Sequence, residues 1–308
     1  MKFCIVGAGG VGGYFGARLA ADGNDVTFVA RGAHRAAMEE KGLSIRSPLG
    51  DLHIAGPKVS EEPEEIGPCD VVLLCVKMWD TEPAAKLIRP LLAQDAAVIS
   101  LQNGVAAEDI LSNLLGAQHV MGGVAQISAH IAEPGVIAQT GKFARILFGE
   151  LDGSSSWRQD GLAAACEAAE GMEGRASGDI QAAIWRKLVL LSPIAGSCCL
   201  HRATIGEIME NPDHVTQLEA QINETAVVGR AKGVALAPEV EENAMKALAG
   251  MPVEMRPSML LDLESGRRLE LDWLTGATVR LGKELGVETP ASAEVYAALE
   301  PYALGGAA

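Results

Sequence analysis

The first twelve residues contain a glycine pattern suited to binding phosphate groups. Gly7, Gly9 and Gly12 have the spacing G-x-G-x-x-G, between the apolar run at residues 3–6 and a stretch of helix-forming residues. In a dinucleotide site the first glycine permits a tight turn, the second leaves room for a pyrophosphate, and the third lets the helix lie close to the strand. The N–H groups and dipole of the helix N-terminus then face the phosphates. We predict a dinucleotide site that consists of Gly7, Ala8, Gly9, Gly10, Val11 and Gly12. A glycine-rich turn of any α/β protein is the alternative, which the strand and helix on either side disfavour.

Arg31 indicates which dinucleotide this site would accept. The second predicted strand, residues 25–30, is followed by Arg31 and Gly32. An NAD site usually has an acidic residue here, which accepts a hydrogen bond from the ribose 2′-OH. The planar guanidinium of Arg31 instead suits a 2′-phosphate. The sequence therefore favours NADP(H), with an ordinary surface cation at a helix start as the alternative.

Lys187 and Glu270 could carry out acid–base chemistry on a substrate. Lys187 lies in a predicted helix among apolar neighbours from Ile184 to Leu190. When hydride is delivered to a ketone carbon, an alkoxide forms, and a lysine ammonium can stabilise that charge and donate a proton to it. Burial lowers the pKa of a lysine, and a nearby carboxylate favours the ammonium form, so Lys187 needs an acidic partner. We predict that Glu270 is this partner. In the alternative, Lys187 extends to the surface beside Arg186.

Lys77 and Asn103 each follow a predicted buried strand. Residues 70–77 form a continuous apolar run that ends in Lys77, and residues 97–101 form another that leads to Asn103. Open α/β sheets bind ligands at the carboxyl ends of their parallel strands. The sequence therefore places both side chains at the ligand edge, although either one alone could be a capping or loop residue.

The elements that must position these residues change in type along the chain. Strands and helices alternate up to about residue 177, and helices alone follow, which predicts an α/β fold: a Rossmann-type dinucleotide-binding domain at residues 1–177 and an all-helical substrate or catalytic domain at 178–308. We expect the active site in the cleft between the two domains. The predicted strands are residues 3–6, 25–30, 70–77, 97–101, 120–131, 135–140 and 144–149, with a hairpin of 43–47 and 52–55. The predicted helices are residues 33–41, 84–92, 157–169, 180–200, 207–232, 238–249 and 269–285, the last with Gly286 as its C-cap.

Composition excludes several classes of protein. A net charge of −15 over 308 residues disfavours binding to nucleic acid or to an anionic membrane. The sequence contains no uncharged apolar run of eighteen residues and begins with a strand instead of a signal peptide, so we expect no membrane span. The six cysteines lack metal-site spacing, which indicates reduced thiols, no metal centre and a cytoplasmic location. The exposed helices of the second domain leave a homodimer open.

The motifs together resemble the ketopantoate reductase (2-dehydropantoate 2-reductase) family, in the 6-phosphogluconate-dehydrogenase-like superfamily. The resemblance covers nearly the whole chain. It depends on the glycine motif, Arg31, Cys75-Val76-Lys77, Gln102-Asn103-Gly104-Val105, Pro134-Gly135, Trp185-Arg186-Lys187, Pro257-Ser258-Met259-Leu260 with Asp262, and Glu270-Leu271-Asp272 followed by Gly276. It implies NADPH-dependent reduction of a 2-keto acid to a 2-hydroxy acid, a reaction of pantothenate biosynthesis.

The resemblance also implies a role for each motif residue. Lys187 is similar to the general acid of the family. Glu270 resembles the carboxylate that helps to hold substrate and cofactor, and Ser258 the hydroxyl that binds the substrate carboxylate. Lys77 and Asn103 resemble the groups that position the nicotinamide and the keto acid.

Three positions depart from the family pattern. The family's pantoate enzymes have asparagines four and eight residues after the lysine and in the following loop, where this chain has Leu191, Ala195 and Ile205. Each substrate hydroxyl that loses a partner when buried costs on the order of 1–3 kcal/mol. We therefore expect a keto acid less polar than ketopantoate, aliphatic or aromatic, with Leu191 and Ala195 among the substrate-binding residues.

Two other functions fit the same sequence features. A same-fold opine-type dehydrogenase would reduce an imine and would require an amine co-substrate. A non-catalytic NADP(H)-sensing protein would bind the nucleotide and signal through a partner, which the altered pocket allows.

Overall fold

The computed structural model describes residues 1–306, which divide into two compact units. The first unit consists of Met1–Gln102 and Ala106–Ile180, and the second of Asn103–Val105 with the chain from Gln181 onward. The short segment from Asn103 to Val105 thus makes its contacts with the helical unit, although the sequence on both sides of it belongs to the sheet unit.

One mixed sheet forms the centre of the first unit. Its ten strands are β1 (Lys2–Val6), β2 (Asp25–Val29), β3 (Leu43–Arg46), β4 (Leu52–Ile54), β5 (Lys58–Ser60), β6 (Cys69–Leu74), β7 (Leu92–Ser100), β8 (Val120–Glu133), β9 (Val136–Glu150) and β10 (Glu173–Ala176). The order across the sheet is β4-β3-β9-β8-β7-β6-β1-β2-β5, and β10 pairs with β9. Six neighbouring strands of this sheet are parallel to one another, in the order β8-β7-β6-β1-β2-β5. This is the order of a dinucleotide-binding fold, so the predicted Rossmann-type domain is confirmed.

Apolar residues on both faces of the central strands explain their burial. Phe3 and Ile5 of β1 belong to one hydrophobic cluster, whereas Cys4 and Val6 belong to another on the opposite face. The helices of this unit are α1 (Gly10–Ala21), α2 (Gly32–Lys41), α3 (Thr81–Ile88), α4 (Ala107–Leu115) and α5 (Trp157–Ala168). A strand covered on both faces reads as a continuous apolar run, which is why β1, β6 and β7 were recognisable in the sequence.

Two strands of the first unit were missed, and two predicted strands are joined. β5 is short and lies at the edge of the sheet beside β2. β10 lies directly before residue 177, where the sequence analysis ended the first domain, and it pairs in parallel with β9. The predicted strands 135–140 and 144–149 are one long strand, β9, antiparallel to β8. Short edge strands carry little hydrophobic pattern, so pairing to a neighbour is what forms them.

The second unit is helical from residue 181 to residue 306, as predicted. Its helices are α6 (Ile180–His201), α7 (Ile205–Glu210), α8 (Pro212–Ala231), α9 (Val240–Ala249), α10 (Ser258–Glu264), α11 (Thr275–Leu285) and α12 (Pro290–Leu299). Gly286 ends α11 in the left-handed conformation, which confirms the predicted C-cap.

Two predicted helices of this unit differ from the structure. The predicted helix 207–232 is divided into α7 and α8, because Asn211 caps α8 with its side chain and Pro212 begins it. The predicted helix 269–285 starts with a 3-10 turn, Leu271–Trp273, before α11. Caps and turns at these points interrupt an otherwise helical pattern.

Helix α6 is apolar along most of its 22 residues and continues through Pro193. By length and composition it could cross a membrane, but 72% of the relevant window is buried inside the protein. The core helix of a globular unit has the same properties, so α6 is explained by packing within the second unit.

Candidate functional site

The glycine motif forms a tight turn between β1 and α1. Gly7 has φ +96°, a conformation that favours glycine, and its N–H donates to the Val29 carbonyl at 3.2 Å. A Cβ at Gly12 would overlap the carbonyl oxygen of Gly7, whereas a Cβ at Gly9 would have no atom within 4 Å. Gly7 therefore permits the tight turn, Gly12 lets α1 lie close to this turn, and Gly9 presents open backbone.

The start of α1 suits an anionic group. Gly9 is the N-cap and has no side-chain hydrogen bond to the helix, and the first turn of α1 contains no acidic residue. The first intrahelical bond runs from Gly13 N to Gly9 O, which leaves the N–H groups of Gly10, Val11 and Gly12 without helical carbonyl partners. Open backbone at Gly9 next to these donors fits the pyrophosphate of a dinucleotide.

Gly10 has a packing role that sequence reasoning missed. A Cβ at this position would overlap the backbone carbonyl of Ala129 in β8. The long β8–β9 hairpin therefore rests directly on the first turn of α1. No local pattern signals this contact, because Ala129 lies more than a hundred residues further along the chain.

Arg31 and Lys77 lie after β2 and β6 in the first unit. Arg31 is exposed and serves as the N-cap residue of α2. Lys77 is partly buried and precedes the 3-10 turn Met78–Asp80, with its Nζ 5.8 Å from the centre of the Trp79 ring. Since an aromatic face stabilises an ammonium, Trp79 helps to orient Lys77, a contact that sequence reasoning did not identify.

The second unit brings Asn103 and Glu270 together. Asn103 Nδ2 donates to Glu270 Oε2 at 3.4 Å, and the Glu270 side chain is 5% exposed. Gly104 has φ +99°, and a Cβ there would be only 2.8 Å from the carbonyl oxygen of Trp273. The segment after β7 thus packs against the turn that follows Glu270, with glycine required at the contact.

A second hydrogen bond supports the turn beside Glu270. The Tyr296 hydroxyl of α12 donates to Asp272 Oδ1 at 2.7 Å, and the hydrogen bond to this carboxylate raises the pKa of Tyr296 to about 12. Gly276 leaves space for the Tyr296 ring, since a Cβ there would be 2.8 Å from it. Sequence reasoning noted Asp272 and Gly276 as motif residues but gave no role to Tyr296.

Lys187 lies on α6, partly buried. Burial lowers its pKa to about 8, and the nearby carboxylate of Glu270 acts in the opposite direction by favouring the ammonium. A lysine whose pKa lies near neutrality can donate and accept a proton at physiological pH. The predicted pairing of Lys187 with a carboxylate at Glu270 therefore has a physical basis in the second unit.

The remaining predicted residues lie on or beside helices of the same unit. Leu191 is partly exposed one turn after Lys187, and Ala195 is 1% exposed one turn further on. Ile205 is also 1% exposed, and its N–H donates to the Met255 carbonyl at 3.0 Å. Ser258 is exposed as the first residue of α10. Among residues 1–306, no group of three or more His, Cys, Asp or Glu side chains could hold a metal ion.

Family models cover most of the chain. Residues 3–153 match the model "Ketopantoate reductase PanE/ApbA", and residues 179–303 match "Ketopantoate reductase PanE/ApbA C terminal". The chain belongs to the ketopantoate reductase PanE/ApbA family. The resemblance inferred from the motifs is thus confirmed, and the protein is an oxidoreductase of this family.

Individual relatives align over nearly the full length of the chain. The "2-dehydropantoate 2-reductase" of Archaeoglobus fulgidus is 34% identical and aligns over 92% of each chain. The "Uncharacterized oxidoreductase YkpB" of Bacillus subtilis is 32% identical over 98% of this chain and 99% of the relative. A crystal structure of 2-dehydropantoate 2-reductase from Geobacter metallireducens has a TM-score of 0.91 at 32% identity and covers 98% of this chain and 99% of its own.

A more distant structure shares the fold. D-mandelate dehydrogenase, solved with NADH and anilino(oxo)acetate, has a TM-score of 0.87 at 23% identity and covers 98% of both chains. At this level of identity the likeness shows that the two proteins share a fold.

Proposed function

We propose that this protein reduces a 2-keto acid to a 2-hydroxy acid with NADPH, and that the keto acid is less polar than ketopantoate. The observation that carries the proposal is Lys187, whose pKa burial lowers to about 8 while the Glu270 carboxylate favours its ammonium form. The reduced nicotinamide supplies the hydride. Relatives named 2-dehydropantoate 2-reductase support the reaction class.

Lys187 acts on the oxygen of the reacting carbonyl. As the carbonyl carbon is reduced, negative charge develops on its oxygen, and the Lys187 ammonium stabilises that charge and then transfers one proton to it. Glu270, which is almost fully buried, keeps the ammonium form available before the reaction. Asn103 holds the Glu270 carboxylate through its side-chain amide.

The less polar substrate follows from the face of α6 that contains Lys187. Leu191 and Ala195 follow Lys187 at intervals of four residues, so they lie on its side of the helix. Neither side chain can form a hydrogen bond with a substrate hydroxyl, and Ile205 cannot either. Each hydroxyl of ketopantoate left without a partner would weaken binding by on the order of 1–3 kcal/mol, which favours aliphatic or aromatic keto acids.

The cofactor preference depends on Arg31. We propose that its guanidinium binds the 2′-phosphate of NADPH, for which its exposed position after β2 is suitable. Gly7 to Gly12 would hold the pyrophosphate, and Lys77 would approach the nicotinamide side of the cofactor. Because all six cysteines are free thiols, we also propose a cytoplasmic, reducing location.

The test is a comparison of keto acids under matched conditions. NADPH oxidation is measured with ketopantoate and with aliphatic and aromatic 2-keto acids of increasing size, and each is repeated with NADH. We expect the highest kcat/KM for an apolar keto acid with NADPH. The Leu191→Asn variant is the matched control and should shift the ranking toward ketopantoate. If ketopantoate exceeds every apolar keto acid in the unmodified protein, the proposed substrate class is wrong.

A further inference from the structure

Gln102 follows β7, and its side chain connects this segment to the turn and the start of α3 that follow β6. Gln102 Nε2 donates to Thr81 Oγ1 at 2.8 Å, and Thr81 Oγ1 donates to the Met78 carbonyl at 2.7 Å. On the other side, Ser100 Oγ donates to Gln102 Oε1 at 3.0 Å and accepts from the Gln102 backbone N–H at 3.2 Å. We refer to Ser100, Gln102, Thr81 and the Met78 carbonyl as the Gln102 bridge.

Each hydroxyl group of the Gln102 bridge accepts one hydrogen bond and donates another, and the Met78 Sδ, 3.9 Å from Thr81 Oγ1, is a second acceptor beside the Met78 carbonyl. The Thr81 hydroxyl accepts from an amide and donates to a carbonyl, and the Ser100 hydroxyl accepts from a backbone N–H and donates to an amide oxygen. The side chains are buried, with Thr81 1%, Ser100 2% and Gln102 9% exposed. Because water cannot readily replace these partners, loss of one hydrogen bond leaves a buried polar group unsatisfied.

The two segments that the bridge joins contain the residues proposed to meet the cofactor and substrate. Met78 directly follows Lys77, and the Lys77 carbonyl accepts from Asp80 N–H at 2.9 Å within the same 3-10 turn. Gln102 directly precedes Asn103, whose amide holds Glu270. A backbone bond from Leu101 N–H to the Leu74 carbonyl, at 2.9 Å, aligns the two strand ends. Past that point the bridge connects the two loops through side chains.

We propose that Gln102 is a positioning residue for the reaction, which fixes the turn after Lys77 to the segment that leads into Asn103. The inference depends on the proposed function, because it assumes that Lys77 and Asn103 act on cofactor and substrate. Gln102 itself touches neither of the reacting groups. Its amide is needed because a single group must accept from Ser100 and donate to Thr81 simultaneously.

The experiment compares variants that break the bridge at different links. Gln102→Leu removes both side-chain bonds. Gln102→Glu retains an acceptor for Ser100, but a carboxylate cannot donate to Thr81, so the Thr81 hydroxyl turns toward it and releases the Met78 carbonyl. Thr81→Val removes the hydroxyl at nearly constant volume, and Thr81→Ser restores it. The matched control is Gln139→Leu, since Gln139 is a 3% exposed glutamine of the same unit that accepts from Ser47 and donates to the Thr140 carbonyl.

For each variant we would measure kcat, KM, the Kd of NADPH, Tm, and the primary isotope effect with NADPH deuterated at the transferred position. Gln102→Leu, Gln102→Glu and Thr81→Val should reduce kcat by about tenfold to a hundredfold, because small misplacements of reacting groups cost this much. The isotope effect should increase toward its intrinsic value as hydride transfer becomes rate-limiting, and the Kd of NADPH should change by less than about threefold. Thr81→Ser should restore kcat.

A merely structural role predicts a different pattern. Gln139→Leu should lower Tm about as much as Gln102→Leu and leave kcat and the isotope effect unchanged. If the bridge variants behave like this control, the positioning role is wrong while the proposed function stands. If the unmodified protein binds NADPH and reduces no keto acid, both the proposed function and the positioning role are overturned. Should Gln102→Leu fail to fold, Thr81→Val and Gln102→Glu decide the question.

Discussion

The glycine loop and the region around Lys187 depend on opposite properties of their side chains. In the loop, the absence of side chains matters: Gly12 must let α1 approach β1, and Gly9 leaves backbone open. Around Lys187, side-chain charge matters, because burial lowers the lysine pKa and the Glu270 carboxylate opposes that shift. We therefore expect the first region to tolerate no added methyl group at its contact points, and the proposed reaction to require the charged groups of the second. The two regions should therefore respond to different substitutions.

The largest effect is expected for Lys187→Ala. Removal of the ammonium takes away the proton donor and the charge that stabilises the developing alkoxide, so kcat should fall by about 10³-fold. NADPH affinity should remain, because the glycine loop is unchanged, and this is measurable by fluorescence titration. Arg186→Ala is the control, since Arg186 is an exposed cation of the same helix. Equal, measurable turnover by Lys187→Ala and the unmodified protein would exclude Lys187 as the proton donor. Binding of NADPH without turnover of any keto acid in either protein would contradict the reductase proposal and favour a nucleotide sensor.

Two alanine substitutions in the glycine loop sharpen the contrast with Lys187. Gly9→Ala places a methyl group in open space where the pyrophosphate should approach, and Gly9 has φ −73°, which alanine also adopts. NADPH affinity should fall by about tenfold or more while Tm stays unchanged. Gly12→Ala instead overlaps the Gly7 carbonyl and should lower stability by about 1–3 kcal/mol. Calorimetry and NADPH titration on both variants separate the two effects, and a reversed outcome would refute the assigned roles.

The pH dependence of the reaction should report the pKa of Lys187. Burial lowers this pKa to about 8, and reduction requires the protonated lysine. The kcat/KM for reduction should therefore be constant below about pH 8 and fall about tenfold per pH unit above it, whereas oxidation of the 2-hydroxy acid should increase over the same range. The same lysine also affects the free energy of unfolding. The folded protein loses this proton more easily than the unfolded one, so the contribution of Lys187 to the free energy of unfolding increases as the pH rises from about 8 to 10.5. A reduction profile that is flat to pH 10 would exclude Lys187 as the proton donor.

Glu108 of the first unit provides a smaller expected effect. Burial raises its pKa to about 7 from 4.5, and the side chain is 6% exposed. The folded state therefore binds this proton more tightly, and the contribution of Glu108 to stability is full below pH 4.5 and decreases as the pH rises through 7. Urea unfolding should show that Glu108→Gln removes about 1–3 kcal/mol of this decline between pH 5 and 8, relative to the unmodified protein. Asp109→Asn, at an exposed neighbour whose charge also raises the Glu108 pKa, should reduce the decline much less than Glu108→Gln does, because burial is the larger cause.

The parts of the fold that could be predicted are those whose pattern is local. β1, most of β6 and the second half of β7 are apolar runs, and α6 is a long helix, so their order already indicated a dinucleotide-binding fold followed by helices. The first half of β7, with exposed Gln94 and Asp95, was not predicted. β5 and β10 were missed because short edge strands depend on pairing with β2 and β9. The helix predicted at 207–232 was divided in the structure, because the capping side chain of Asn211 interrupts a pattern that otherwise continues.

The candidate site likewise contains residues that a local pattern predicted and contacts that no local pattern predicted. Chain order alone gave the glycine loop, Lys187 and Glu270 as candidates, because the required residue types occur there at recognisable spacing. The contacts of Trp79 with Lys77, of Ala129 with Gly10, and of Tyr296 with Asp272 gave no sequence signal. Each of these contacts orients a motif residue without being part of a motif.

The sequence by itself determined the order of the long strands and helices, the glycine turn after β1 and the residue types available for acid–base chemistry, because these depend on neighbours within a few residues or on the helical repeat. The tertiary structure alone decided that Asn103 meets Glu270, that burial brings the Lys187 pKa to about 8, and that Gln102 links two strand ends. Desolvation and hydrogen bonding between distant residues exist only once the chain has folded, so no local pattern records them.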